Sequence, residues 1–142
     1  METLYARALL CAAGLAPEEA YTSCLHAQFL AHPDDNLLLS LECTTDPYAA
    51  ACSLQSHFTC RPLDRSRFGQ VLMAALRPAY AAASDLQHFT DHLYILWSCL
   101  PTQLSQEQPF WALSYAGEPL SWGDEAQTRQ LCETMLHHYD PT

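Results

Sequence analysis

The chain has 142 residues, of which 49% are hydrophobic, and its formal net charge at pH 7 is -10. This length fits one domain, and the apolar fraction is too high for a disordered chain. The six basic residues are all arginine and stand against 16 acids. The chain therefore lacks the basic footprint that binding to nucleic acid or to an anionic membrane needs.

The apolar residues are unusually uniform, with 23 leucines and 20 alanines beside a single valine, Val71, and a single isoleucine, Ile95. β-Branched side chains favour sheets, whereas Ala and Leu are strong helix formers. The composition therefore predicts an all-α fold, a compact single-domain bundle of about seven to eight short helices over residues 1–142.

Prolines and acids mark where the predicted helices begin. Proline is tolerated in a first helical turn, and a nearby acid caps free backbone amides and opposes the positive end of the helix dipole. The predicted starts include Asp34, Asp46 with Pro47, Asp64, Ser84, and Ser121 with Asp124, which resembles a capping box. In chain order, we expect helices over residues 2–13, 17–31, 35–43, 47–58, 64–77, 84–100, 105–116 and 123–139.

Two segments allow more than one interpretation. Residues 78–83 form either a loop after Pro78 or the first turns of one helix that runs to Leu100. Residues 110–115 alternate in the manner of a short strand, but a lone strand would have no partner in this composition, so a helix is favoured.

The chain has none of the common catalytic motifs. Its four glycines leave no P-loop, no dinucleotide-binding turn and no Gly-x-Ser-x-Gly. Its seven cysteines include no Cys-x-x-Cys, which argues against a zinc ribbon or a redox dithiol. We therefore expect neither enzyme activity nor a cofactor.

The sequence also predicts the cellular compartment of the protein. No apolar run approaches the ~20 residues that span a bilayer, and Met1-Glu2-Thr3 lacks the basic start of a secretory signal. We expect a cytoplasmic protein with reduced thiols.

One stripe of side chains suggests a metal site. Asp85, His88 and His92 are spaced i, i+3 and i+7, which places all three on one side of a helix. The flank of this helix could face further ligands. In the competing interpretation, the stripe is only the solvated edge of the helix. The absence of Glu-x-x-His and His-Glu-x-x-His, which mark known helical metal sites, favours this interpretation.

The last third of the chain is rich in aromatic residues. Trp and Tyr anchor protein interfaces when they are exposed, and acids lie beside them in sequence. The predicted partner-binding residues are Trp111, Tyr115, Glu118, Trp122, Asp124 and Glu125. In the alternative interpretation the aromatic residues Trp97, Phe110, Trp111, Tyr115 and Trp122 fill the core between the last three helices.

The basic residues are also clustered, since Arg61, Arg65, Arg67 and Arg77 are four of the six arginines. They form either an anion-binding patch or, as we expect, ion pairs with the chain's own acids.

Together these features predict a small acidic protein that works by binding another protein of basic charge. By analogy of charge and size alone, it would be an immunity or inhibitor protein that neutralises a partner such as a nuclease toxin. Two alternatives stay open: a metal-binding helical bundle built on the Asp85 stripe, and a self-associating domain whose exposed aromatic residues form a homodimer.

Overall fold

Helices make up the whole of the regular structure in a computed structural model that describes residues 1–140, and no strand occurs in that part of the chain. This confirms the predicted all-α bundle. In order, the elements are α1 (Glu2–Ala12), α2 (Glu18–Ala31), α3 (Asn36–Glu42), α4 (Pro47–Cys60), α5 (Arg65–Ala82), α6 (Leu86–Ser98), α7 (Thr102–Ser105), α8 (Ala112–Tyr115), the 3-10 helix η1 (Glu118–Trp122) and α9 (Glu125–Leu136).

Aspartates begin five of these helices, as the positions of the acids predicted. In each, the carboxylate accepts a hydrogen bond from a backbone N–H of the first turn, which has no partner within the helix. Three of the capping residues differ from those predicted: Asp35 replaces Asp34, Asp85 replaces Ser84, and Asp124 replaces Ser121. The five caps are Asp35, Asp46, Asp64, Asp85 and Asp124.

Two predictions about the middle of the chain are wrong. Pro78 does not end a helix but lies inside α5, which continues to Ala82. Proline in a helix interior loses one backbone hydrogen bond. Packing offsets this loss, because Tyr80 in the following turn lies 5.5 Å from Phe89 of α6, measured between ring centroids.

The predicted helix over residues 105–116 is also absent. The chain forms α7, a turn, and then α8 in its place. Pro109 cannot donate a backbone hydrogen bond and disfavours helical geometry in the residue before it. Phe110 then enters the core, where it is 1% exposed and its ring lies 5.8 Å from that of Phe68.

Helix α1 lies at the centre of the bundle. Its residues Leu4 to Ala6 and Ala8 to Leu10 are all buried, and it packs against α2, α4, α5 and α6. Because these buried residues cover most of its circumference, α1 must be enclosed by other helices. The ring of Tyr5 lies 5.6 Å from Phe58 of α4 and 5.3 Å from Phe68 of α5, so one aromatic cluster joins three helices.

Within residues 1–140, no helix is both long enough and apolar enough to cross a membrane.

Two buried groups predict how stability depends on alkaline pH. Burial raises the pKa of Tyr21 from 10.0 to about 12 and that of the Cys132 thiol from 9.0 to about 11. Both groups ionise at lower pH in the unfolded chain, so the unfolded state binds fewer protons than the folded state. We therefore expect the free energy of unfolding to fall progressively as the pH rises from 9 to 12.

Urea unfolding at about pH 8, 10 and 11 measures this slope. The variant Tyr21→Phe should show a shallower fall than the natural chain, because it has no phenol to ionise at this position. Equal slopes for the two proteins would show that Tyr21 ionises alike in the folded and unfolded states.

Candidate partner-binding surface

An exposed aromatic pair lies at the ends of α8. Trp111 immediately precedes this helix and is 49% exposed, while Tyr115 at its end is half-buried. Their rings are 5.6 Å apart in an edge-to-face arrangement. The Tyr115 hydroxyl also accepts a hydrogen bond of 3.0 Å from Nε2 of Gln108. These contacts fix the orientation of the two rings, of which that of Trp111 is the more exposed.

The aromatic residues of the last third therefore divide between surface and core. Phe110 is buried, and half-buried Trp97 donates a hydrogen bond of 2.8 Å from Nε1 to the carbonyl of Ser105. Trp111 and Trp122 are exposed, the latter by 63% at the end of η1. The core-filling interpretation therefore holds for Phe110 but not for Trp111 and Trp122, which are exposed.

The three acids of the predicted surface have different surroundings. Asp124 is committed to capping α9. Glu125 forms an ion pair of 2.7 Å with Arg129. Glu118 is exposed, and its carboxylate has no hydrogen bond or ion pair within residues 1–140. Of the three carboxylates, only that of Glu118 is without such a contact in the part of the chain that the structure describes.

Two cavities flank α8 on opposite sides. The α9 groove lies between α8 and α9 and has a volume of about 480 Å³; it is lined by Gln108, Pro109, Ala112, Tyr115, Gln127, Gln130, Leu131, Thr134, Met135 and His138. The α6 pocket lies between α6 and the segment from α8 to η1 and has a volume of about 290 Å³; it is lined by Gln87, Thr90, Asp91, Tyr94, Leu113, Ser114, Gly117 and Glu118.

The charges around these cavities are acidic or absent. The α9 groove is lined by neutral polar groups, one histidine and apolar side chains, with no acid and no arginine. The α6 pocket has two carboxylates, Asp91 and Glu118, and no basic residue in its lining. Such a pocket favours a cation.

The sequence analysis did not predict the α6 pocket, although one pattern in the sequence indicates part of its lining. Gln87, Asp91 and Tyr94 have the spacing i, i+4 and i+7, which places them on one side of α6. This side is distinct from the core side, on which Phe89, Leu93 and Leu96 are buried. The partner elements α8 and η1 could not be placed without the structure.

Two of the four clustered arginines pair with the chain's own acids, so this expectation holds for half of them. Arg65 bonds to Glu107, and Arg77 contacts Asp140 at 2.5 Å while donating to the backbone carbonyl of Leu136. Arg61 and Arg67 are exposed and form no ion pair in the part of the chain that the structure describes. An anion-binding patch of four arginines is therefore not assembled.

Asp85, His88 and His92 line a single cavity, beside Gly14. Their polar atoms are partly occupied by the backbone: the Asp85 carboxylate caps α6, and Nδ1 of His92 lies 2.8 Å from the carbonyl oxygen of His88. The two imidazole rings are tilted by 50° to each other, with centroids 4.2 Å apart. Among residues 1–140, no group of three His, Cys, Asp or Glu side chains is placed to hold a metal ion.

Gly117 allows η1 to approach α6 closely and so helps to shape the α6 pocket. A Cβ atom on Gly117 would lie 2.7 Å from Oγ1 and 2.8 Å from Cβ of Thr90. Thr90 is buried, and its Oγ1 donates a hydrogen bond to the carbonyl of Gln87. A branched side chain held in this way has little room to move.

Gly117→Ala should therefore lower the free energy of unfolding by about 1–3 kcal/mol, the usual cost of overpacking. The φ of -86° at Gly117 suits alanine, so the loss would come from the contact with Thr90. Chemical denaturation of Gly117→Ala in a Thr90→Gly background is the control, because glycine at position 90 lacks both Oγ1 and Cβ. Relative to Thr90→Gly alone, most of this loss should disappear. An equal loss in both backgrounds would contradict the contact as its cause.

No family model, curated protein or solved structure matches this chain.

Proposed function

We propose that this chain is a small non-enzymatic module that binds a basic protein through the surface around α8. The observation that carries the proposal is the exposed Trp111, whose ring lies edge to face on that of Tyr115 in the wall of the α9 groove. Other residues of α8 line the α6 pocket, which holds two carboxylates and no basic group. Exposed Trp and Tyr residues beside pockets are typical binding hot spots. The proposed surface continues along the chain after Glu118 and includes Trp122, Asp124 and Glu125.

The charge of the whole chain supports a basic partner. A net charge of -10 produces an acidic field that attracts a basic protein over distances of about the Debye length and speeds association. Complementary charges also disfavour acidic competitors. The form of this proposal that suits the charge and size of the chain is an immunity or inhibitor protein that covers a basic enzyme, such as a nuclease toxin.

We also place the module in the cytoplasm. All seven cysteines are free, and Cys43, Cys52 and Cys60 are exposed. Exposed thiols remain reduced in compartments that contain glutathione and thioredoxin, whereas secreted proteins generally pair them.

The proposal is tested by affinity capture from cells of the native host. The tagged chain is incubated with lysate at low ionic strength and again at about 1 M salt, where the Debye length is about 3 Å. We expect stoichiometric capture of one basic protein at low salt and its release at high salt. Calorimetry with the purified pair should then show direct binding that weakens with salt.

Three results would overturn the proposal. The first is that no stoichiometric partner is captured at low salt. The second is a partner whose affinity does not change with salt or with Trp111→Ala. The third is a stable homodimer that buries Trp111, detected by sedimentation at several concentrations, because the aromatic surface would then serve self-association.

A further inference from the structure

The α6 pocket has the shape and charge to receive one cationic side chain. We propose that it is the anchor site for an arginine of the partner, held between the carboxylates of Asp91 and Glu118 and against the ring of Tyr94. This inference rests on the proposed function in that it names one contact of the proposed interface.

The two carboxylates come from different elements and converge on the same cavity. Asp91 lies on α6 and accepts one hydrogen bond of 2.8 Å from Nε2 of Gln87, which orients its carboxylate. Glu118 begins η1 and has no hydrogen bond or ion pair to its carboxylate in residues 1–140. A cation between two such acids gains from both and relieves their mutual repulsion.

An aromatic wall completes the pocket. Tyr94 is 53% exposed, and its ring lies 5.6 Å from that of Trp97, which restricts its orientation. A guanidinium group stacks on an aromatic face and is attracted by the electron density of the ring. Buried Leu113 and Thr90 offer apolar surface for the methylene stem.

Size and geometry favour arginine over other cations. The volume of about 290 Å³ lies just below the range of about 300–1,000 Å³ for small-molecule sites, which suits a single side chain. Arginine presents a planar fork of donors that can reach carboxylates on two sides, whereas the lysine ammonium is a compact and strongly hydrated charge.

The probe is a short blocked peptide, acetyl-Gly-Arg-Gly-amide, titrated into the full ¹⁵N-labelled chain and followed by NMR. We expect chemical-shift changes centred on Thr90, Asp91, Tyr94, Leu113 and Glu118. The same peptide with citrulline, which keeps the shape but has no charge, should bind about tenfold more weakly, because the charged contacts are lost. The lysine peptide should fall between the two.

A matched set of variants distinguishes binding in the α6 pocket from attraction of the peptide to the net negative charge of the chain. Asp91→Asn with Glu118→Gln should weaken binding of the arginine peptide about tenfold. The control is Glu18→Gln with Glu19→Gln, which removes the same charge from exposed positions at the start of α2. It should change the affinity less than about twofold, since exposed distant charges are screened.

Equal weakening by both pairs of substitutions, or shift changes spread over the acidic surface, would overturn the pocket as the site. So would a captured partner that binds the Asp91/Glu118 variant with unchanged affinity, and this result would leave the proposed function standing. Conversely, specific binding of the peptide with no protein captured from the host would overturn the proposed function while supporting an arginine-binding pocket.

Discussion

Tyr5→Ala should lower the free energy of unfolding by about 3–5 kcal/mol, the usual loss when a large buried aromatic side chain is truncated. Tyr5 is fully buried on the central helix α1. Its ring touches Phe58 and Phe68, so the cavity would open where α1, α4 and α5 meet. Urea denaturation at pH 7, followed by circular dichroism, measures the change in stability.

Tyr5→Phe is the matched control, and it should act in the opposite direction. The Tyr5 hydroxyl is buried and has no hydrogen-bond partner in residues 1–140. A buried polar group left unpaired costs about 1–3 kcal/mol. Removing this oxygen while keeping the ring should raise the free energy of unfolding by about 1 kcal/mol.

A loss of stability in Tyr5→Phe would contradict this interpretation, because it would show that the hydroxyl contributes a favourable contact. The same variant carries a second expectation. Burial raises the pKa of Tyr5 above its ordinary value, so the phenylalanine variant should lose less stability than the natural chain in strongly alkaline solution.

The sequence predicted helix positions well where local signals decide them. The first four predicted helices match α1 to α4 within two residues at either end, because each begins at an acid or proline that acts on its own first turn. The prediction failed where contacts with residues distant in the sequence determine the ends of a helix. The contact of Tyr80 with Phe89 extends α5 past Pro78, and the burial of Phe110 against Phe68 interrupts the predicted helix over residues 105–116.

The sequence predicted which types of residue form the candidate surface, but not how these residues are arranged in space. Phe110 and Trp111 are neighbours in the sequence, yet one is buried and the other is exposed. Helix α8 is one turn long, too short for a periodic pattern to reveal which side faces the core. The meeting of Asp91 with Glu118 depends on how η1 folds back against α6, which no local signal in either segment specifies.

Trp111→Ala should weaken binding to the captured partner by about 2 kcal/mol or more, which is about thirtyfold in the dissociation constant. Trp111 is half exposed, so the substitution leaves the core intact. Its ring packs against that of Tyr115, which lines the α9 groove, and a partner that covers this groove would remove the Trp111 ring from water. Calorimetry with the purified pair measures the loss, and most of it should appear as faster dissociation.

Tyr48→Ala is the control for this substitution. Tyr48 is also an exposed aromatic residue, but it lies on α4 beside Cys52, in a cavity that α8 does not line. Its removal should change the affinity by less than about 0.5 kcal/mol, as for surface positions outside an interface. Equal losses in both variants would move the interface away from α8. If only Trp111→Ala weakens binding and the salt dependence of the affinity stays unchanged, Trp111 contributes an apolar contact that is independent of the acidic charge. The reason is that electrostatic steering acts over the whole surface, whereas an apolar side chain contributes only where the partner buries it.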